Sequence, residues 1–69
     1  MKNLKGLRKA SGLTQLRLSM RSGVSLSRIV KSELEGIELR PEEIAAIRRI
    51  LAPELAKNIG LALEFQTGN

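Results

Sequence analysis

Residues 13–34, with the sequence LTQLRLSMRSGVSLSRIVKSEL, carry the same helix-start signal twice, with a glycine between the two copies. Thr14 and Ser25 are typical N-cap residues, whose hydroxyls accept hydrogen bonds from the unpaired backbone N–H groups of a first helical turn. Each cap is accompanied by the apolar pair of a hydrophobic staple, and these pairs are Leu13 with Leu18 and Val24 with Ile29. Gly23 lies where the first helix has to end and the chain has to reverse, which favours a positive φ. The pattern predicts two short helices, at about residues 15–21 and 26–35, joined by a tight turn.

A further helix is predicted on the N-terminal side of this unit. Leu4, Leu7 and Ala10 recur on one helical face, and the cations of the segment fall outside that face. Asn3 is placed to cap this helix, and Gly12 is placed to end it.

The C-terminal side predicts a fourth helix and leaves the last segment open. Pro41 suits a first helical position, and Pro53 is expected to end the helix near Leu51. Its apolar stripe consists of Ile44, Ile47, Ile50 and Leu51. The segment at about residues 53–65 has apolar residues at helical spacing (Leu55, Ile59, Leu63) and also in strand-like alternation (Leu61, Leu63, Phe65). We favour a C-terminal helix to about residue 64, keep a strand as the alternative, and expect residues 66–69 to fray.

These elements predict an all-α fold: one domain over residues 1–69, a compact bundle of four to five helices. A chain of 69 residues buries only about 60% of its unfolded surface, so its core is marginal. It has no cysteine for a disulfide, and neither histidine nor aspartate for a metal site. Tight helix packing or self-association therefore has to supply the stability.

Charge is divided unevenly along the chain. Residues 1–31 hold eight lysines and arginines and no acid, a net +8, whereas residues 32–69 hold four cations and seven glutamates, a net −3. A half of one sign favours a polyanionic partner. The alternative is a solvated basic face without a partner.

The side-chain inventory argues against an enzyme. The chain has no His, Cys, Asp, Tyr or Trp, so its serines have no histidine to activate them. Glu42 and Glu43 are neighbours that do not face each other on a helix, and the positive end of a helix explains them better. The single aromatic residue, Phe65, argues against recognition of single strands or RNA by base stacking. We expect no catalytic residue, no cofactor and no metal.

The two-helix unit resembles the helix-turn-helix of the Cro/cI repressor-type (XRE) family of DNA-binding proteins. The resemblance covers about residues 4–51 and rests on Thr14-Gln15, Leu18-Ser19, Ser22-Gly23-Val24-Ser25, Ile29 and Glu33. It implies that the bundle is of the repressor-like helix-turn-helix type, that the first helix of the unit crosses the DNA backbone and that the second lies in the major groove. The chain departs from the family at Ser32, where an apolar residue is usual, and in the later positions of Gly36 and Pro41.

Two arguments select base-contacting residues on the second helix of the unit. A helical wheel gathers one apolar side (Leu26, Ile29, Val30, Leu34, Ile37) and leaves the opposite side polar (Ser25, Arg28, Ser32, Glu35, with Ser27 and Lys31 at its edge). The resemblance implies base contacts at Ser25, Leu26, Ser27, Val30 and Lys31. The predicted base contacts are Ser25, Ser27, Arg28 and Lys31, whose side chains can donate to base edges. Leu26 and Val30 stay open between burial and contact with a thymine methyl group.

Phosphate contacts are predicted on the first helix of the unit. The resemblance implies that Gln15 touches a phosphate, and the N–H groups of the helix N-terminus favour the same anion. Arg17 and Arg21 are predicted as further phosphate contacts, with exposed solubilising charges as the alternative.

The expected function is a sequence-specific regulator of transcription that binds double-stranded DNA as a cytoplasmic homodimer. Self-association is expected through the C-terminal half. The alternative of another class is a protein-interaction module, such as an antitoxin that holds a toxin; a restriction-modification controller would be a DNA-binding rival. Leu16 and Met20, four residues apart, are predicted to form an exposed patch, either for a second protein or as an incidental pair of surface apolar residues. No membrane partner is expected, because no apolar run approaches the length of a bilayer span and no targeting segment is visible.

Overall fold

A computed structural model describes the backbone of residues 1–67 and the side chains of residues 1–57. Within that part of the chain there are four helices: α1 (Leu4–Ala10), α2 (Gln15–Ser22), α3 (Leu26–Glu35) and α4 (Pro41–Thr67). The predicted all-α class and compact helical bundle are confirmed. The strand alternative for the C-terminal segment is wrong, since the described backbone there is helical.

The start signals of α2 and α3 act as predicted. The Arg17 backbone N–H donates to Thr14 Oγ1 over 3.1 Å, and the Arg28 backbone N–H donates to Ser25 Oγ over 3.3 Å. Gly23 follows α2 with a φ of +79°, a left-handed conformation that side chains of L-residues rarely adopt. The Gly23 N–H donates to the Ser19 carbonyl over 2.9 Å, so local bonds fix both the end of α2 and the start of α3.

One hydrophobic core joins all four helices. Its fully buried members are Leu18, Ile29, Ile47 and Leu51, completed by Leu4, Leu13, Val24 and Leu39. Both staple pairs of the helix-turn-helix unit belong to this cluster. Helices α3 and α4 each pack against α1 and α2. The two-helix unit of α2 and α3 is therefore supported by α1 and α4.

The prediction that Pro53 ends the fourth helix is wrong, because α4 continues through Pro53 to Thr67. Proline removes one N–H from the helical ladder. Leu51, before the proline, is buried, and Leu55, after it, packs against the same core, so apolar burial in helical register offsets the lost hydrogen bond. The predicted separate C-terminal helix or arm at about residues 53–65 is therefore the second half of one long helix. The side chains of residues 58–69, and all of residues 68–69, lie outside the described part of the chain.

The helical wheel placed several α3 side chains wrongly. Leu26 and Leu34 are 38% and 75% exposed, whereas Ser32, expected on the polar side, is only 7% exposed. The wheel assigned the buried side by hydrophobicity, but α3 turns Ile29 and Ser32 toward its neighbours. The Ser32 hydroxyl has no hydrogen-bond partner there.

The predicted cap of α1 is also wrong. Asn3 has a φ of +58° and makes no side-chain cap bond. Gly12 has the expected positive φ, +74°, at the end of α1.

Candidate nucleic-acid interface

The outer face of α3 carries two of the predicted base contacts. Ser27 and Lys31 are exposed and four residues apart, which places them on one helical face. Leu26 and Leu34 are exposed beside them, while Val30 is half-buried.

Ser25, the third predicted base contact, is exposed at the start of α3. Its Oγ accepts the capping bond from the Arg28 N–H. A hydroxyl oxygen has two lone pairs and its own proton, so the cap leaves Ser25 able to donate to a further group.

Arg28, the fourth predicted base contact, is engaged by a carboxylate of α4. Its Nη2 lies 2.6 Å from Glu43 Oε1, and its Nε donates to Glu43 Oε2 over 3.0 Å. The Arg40 backbone N–H donates to the same Glu43 carboxylate over 2.7 Å. These hydrogen bonds, first from Arg28 and then from Arg40, lower the pKa of Glu43 to about 2. The guanidinium ties the first turn of α3 to the first turn of α4, and it would have to leave Glu43 to reach a base.

Behind α3 lies a buried ion pair that the sequence reasoning missed. Arg8 donates from Nε to Glu33 Oε2 over 2.7 Å and from Nη2 to Oε1 over 3.0 Å. Its Nη1 donates to the Leu13 carbonyl over 2.7 Å. The side chains of Arg8 and Glu33 are 9% and 1% exposed. The pair fixes α1, the α1–α2 turn and α3 to one another.

Gln15, the predicted phosphate contact, joins this network. Its Nε2 donates to Glu33 Oε1 over 3.1 Å. Burial by itself would raise the pKa of the Glu33 carboxyl, but the hydrogen bonds from Arg8 and Gln15 outweigh burial and hold that pKa below its usual range. Gln15 is half-buried at the start of α2, so one side chain connects the N-terminus of α2 to the last turn of α3.

The sequence singled out two members of this network but not the third. Gln15 and Glu33 both belong to the motif that carries the family resemblance. Arg8 lies 25 residues from Glu33 and was counted among the surface cations. No helical spacing rule links positions so far apart. The exposed cations of residues 1–31 are therefore Lys2, Lys5, Lys9, Arg17, Arg21 and Lys31.

Helix α2 presents a basic and an apolar pair to solvent. Arg17 makes no ion pair or side-chain hydrogen bond within residues 1–57. Arg21 Nη1 lies 3.8 Å from Glu54 Oε1, and the Arg21 side chain is 50% exposed. Leu16 and Met20 are 55% and 75% exposed. Their predicted exposure is confirmed, with Leu18 buried on the opposite side.

Neither a metal site nor a membrane-spanning helix is found in the described part of the chain. No group of three potential ligands among the described side chains could hold a metal ion, and no helix in the described region is long and apolar enough to cross a membrane. In comparisons with known proteins, no family model, no curated protein and no solved structure matches the chain. The site's function therefore has to be argued from its own geometry.

Proposed function

We propose that this protein is a repressor-type regulator that binds double-stranded DNA with α3 in the major groove. The observation that carries the proposal is the distribution of charge around α3. Ser27 and Lys31 are exposed on its outer face, while Glu33 is turned inward and neutralised by Arg8. Glu35, one turn beyond Lys31, is exposed at the C-terminal end of the helix, so the outward donors lie in its first two turns. That part of α3 suits a groove whose base edges offer acceptors and whose walls are phosphates.

The start of α2 supplies the proposed phosphate contacts. The amide nitrogen of Gln15 uses one N–H on Glu33, and its second N–H serves a phosphate at the helix N-terminus. Arg17 is exposed close by on the same helix, and Arg21 needs to give up only a long, exposed contact with Glu54, which is worth little in water.

Arg28 takes a positioning role in this proposal. Its ion pair with Glu43 sets the start of α3 against α4, so losing either partner loosens the same contact. Arg28→Ala and Glu43→Ala should therefore weaken binding to preferred and random DNA alike. If only Arg28→Ala loses the preference between the two duplexes, Arg28 reads a base, as the sequence predicted.

A homodimer completes the proposal. Helix α4, Pro41–Thr67, runs for twelve residues beyond Leu55, the last described side chain that packs against the core. The sequence of that extension contains Ile59, Leu61, Leu63 and Phe65, whose side chains lie outside the described part. Two copies joined there would place their α3 helices at half-sites about 34 Å apart. Sedimentation should show dimers that dissociate on dilution, and a strict monomer with and without DNA contradicts this step.

The direct test is a titration of a selected duplex and a random duplex at several salt concentrations. Lys31→Ala should cost about 1–3 kcal/mol on the selected duplex and little on the random one. Arg17→Ala should weaken both equally and reduce the salt slope by about one unit. Lys57→Ala, an exposed cation of α4, is the matched control and should change neither. Absence of a sequence preference at every salt concentration contradicts the proposal.

A protein-interaction module is the second candidate, favoured by the exposed Leu16 and Met20 on α2. Two large apolar side chains one turn apart form a small contact surface beside Arg17 and Arg21. In this candidate, replacing both with glutamate abolishes partner binding and leaves DNA binding largely intact apart from the added negative charge. Retention of the partner by this variant contradicts it.

A further inference from the structure

A cleft of about 340 Å³ lies between α1 and α4, on a part of the surface to which neither α2 nor α3 contributes. This volume falls within the range of about 300–1,000 Å³ that is usual for small-molecule pockets. Its apolar lining includes Leu7, Ile44, Leu51 and Leu55. A ligand bound in this cleft would therefore lie apart from the proposed DNA-binding residues of α2 and α3.

The charged residues among the described lining of this cleft are all cations. Lys2 and Arg48 line it, and no glutamate is found among its described lining residues. Both cations are exposed, and neither makes an ion pair or a side-chain hydrogen bond within residues 1–57. An apolar floor beside two unpaired cations is complementary to a molecule with an alkyl chain and an anionic head group.

We propose that the α1–α4 cleft binds a free amphipathic carboxylate of medium chain length. The alkyl chain lies on the leucine and isoleucine side chains and leaves water, which supplies most of the affinity. The carboxylate accepts hydrogen bonds from Lys2 and Arg48, and these select an acid over a neutral molecule of the same length.

Decanoate and decanol, titrated below their aggregation concentrations, provide the test. Methyl NMR shifts of Ile44 and Leu55 should saturate with both ligands, and decanoate should bind about five-fold more tightly. Arg48→Gln should reduce that difference, and Lys2→Gln combined with Arg48→Gln should abolish it. Arg49→Gln, the adjacent exposed arginine that does not line the cleft, should preserve it.

Two variants test the cleft itself. Ala52 lines it, so Ala52→Leu should fill the space and weaken both ligands at least ten-fold, whereas Ala45→Leu, on an exposed position of the same helix outside the cleft, should leave both unchanged. The proposal is overturned by shifts that do not saturate, by equal effects of the two arginine replacements, or by equal shifts at Leu16, which would indicate general adsorption.

Other occupants give distinct results that also overturn the proposal. If a second copy covers the cleft, decanoate does not bind and Ala52→Leu dissociates a dimer in sedimentation. If an anionic membrane is the partner, phosphatidylglycerol vesicles bind the protein and Ala52→Leu does not weaken that binding.

Discussion

Replacement of Glu33 tests how helix α3 is held in place. Its carboxylate is the counter-charge of Arg8, and the two side chains are only 1% and 9% exposed. Removing one partner of a buried pair leaves an uncompensated charge and costs about 3–5 kcal/mol. A chain of this length has a total stability of about 3–10 kcal/mol, so Glu33→Ala should lose a large part of it. Urea denaturation followed by far-UV circular dichroism at neutral pH measures the change.

Two further variants separate charge from volume. Arg8→Met combined with Glu33→Leu removes both charges and keeps apolar bulk, so no charge is left unpaired. It also removes the Arg8 bond to the Leu13 carbonyl, so its stability should lie about 1–3 kcal/mol below the parent and above that of Glu33→Ala. Glu35→Ala, an exposed glutamate on the same helix, is the matched control and should stay within about 0.5 kcal/mol of the parent. The reasoning is refuted if Glu33→Ala costs less than about 1 kcal/mol, or if the double replacement is as destabilised as the single one.

Three other predictions follow from single features of the structure. Ser32→Ala removes a buried hydroxyl that has no hydrogen-bond partner and should raise the free energy of unfolding by about 1 kcal/mol in urea denaturation. A loss of stability would mean that the hydroxyl does have a partner. The pKa of Glu43, lowered from 4.5 to about 2, makes its stabilisation complete above pH 4.5 and progressively lost as pH falls toward 2. Denaturation midpoints measured across that range should fall, and Glu43→Gln should flatten part of the decline; an unchanged decline would exclude this group as a cause. Leu16→Glu with Met20→Glu should leave the thermal midpoint nearly unchanged because both side chains are exposed, and unfolding would mean that they belong to the core.

Two ion pairs, each between an arginine and a glutamate, reduce the charge difference between the two halves of the sequence. Arg8 and Arg28 were both counted in a uniformly basic half, yet one is buried with Glu33 and the other is bound to Glu43. The two carboxylates come from the acidic half of the chain. Folding therefore neutralises part of each half against the other and leaves Arg17, Arg21 and Lys31 as exposed cations on the two helices of the unit.

The sequence by itself determined the helices of the helix-turn-helix unit. Residues 26–35 were predicted as a helix with the bounds that α3 has, and α2 differs by one residue. The Thr14 and Ser25 caps and the positive φ of Gly23 were also predicted correctly. These features are local. A cap bond joins residues three apart, and the positive φ of a turn glycine is a property of that one residue.

Only the tertiary structure decided which side of α3 faces inward, which charges pair and whether α4 continues past Pro53. The wheel buried Leu34 and exposed Ser32, and the structure reverses both. Arg8 meets Glu33 across 25 residues, and Arg28 meets Glu43 across 15, separations at which no helical period operates. Pro53 is tolerated because Leu55 packs against a core built by other helices. In each case the deciding free energy comes from residues distant in sequence, and a local pattern contains no information about them.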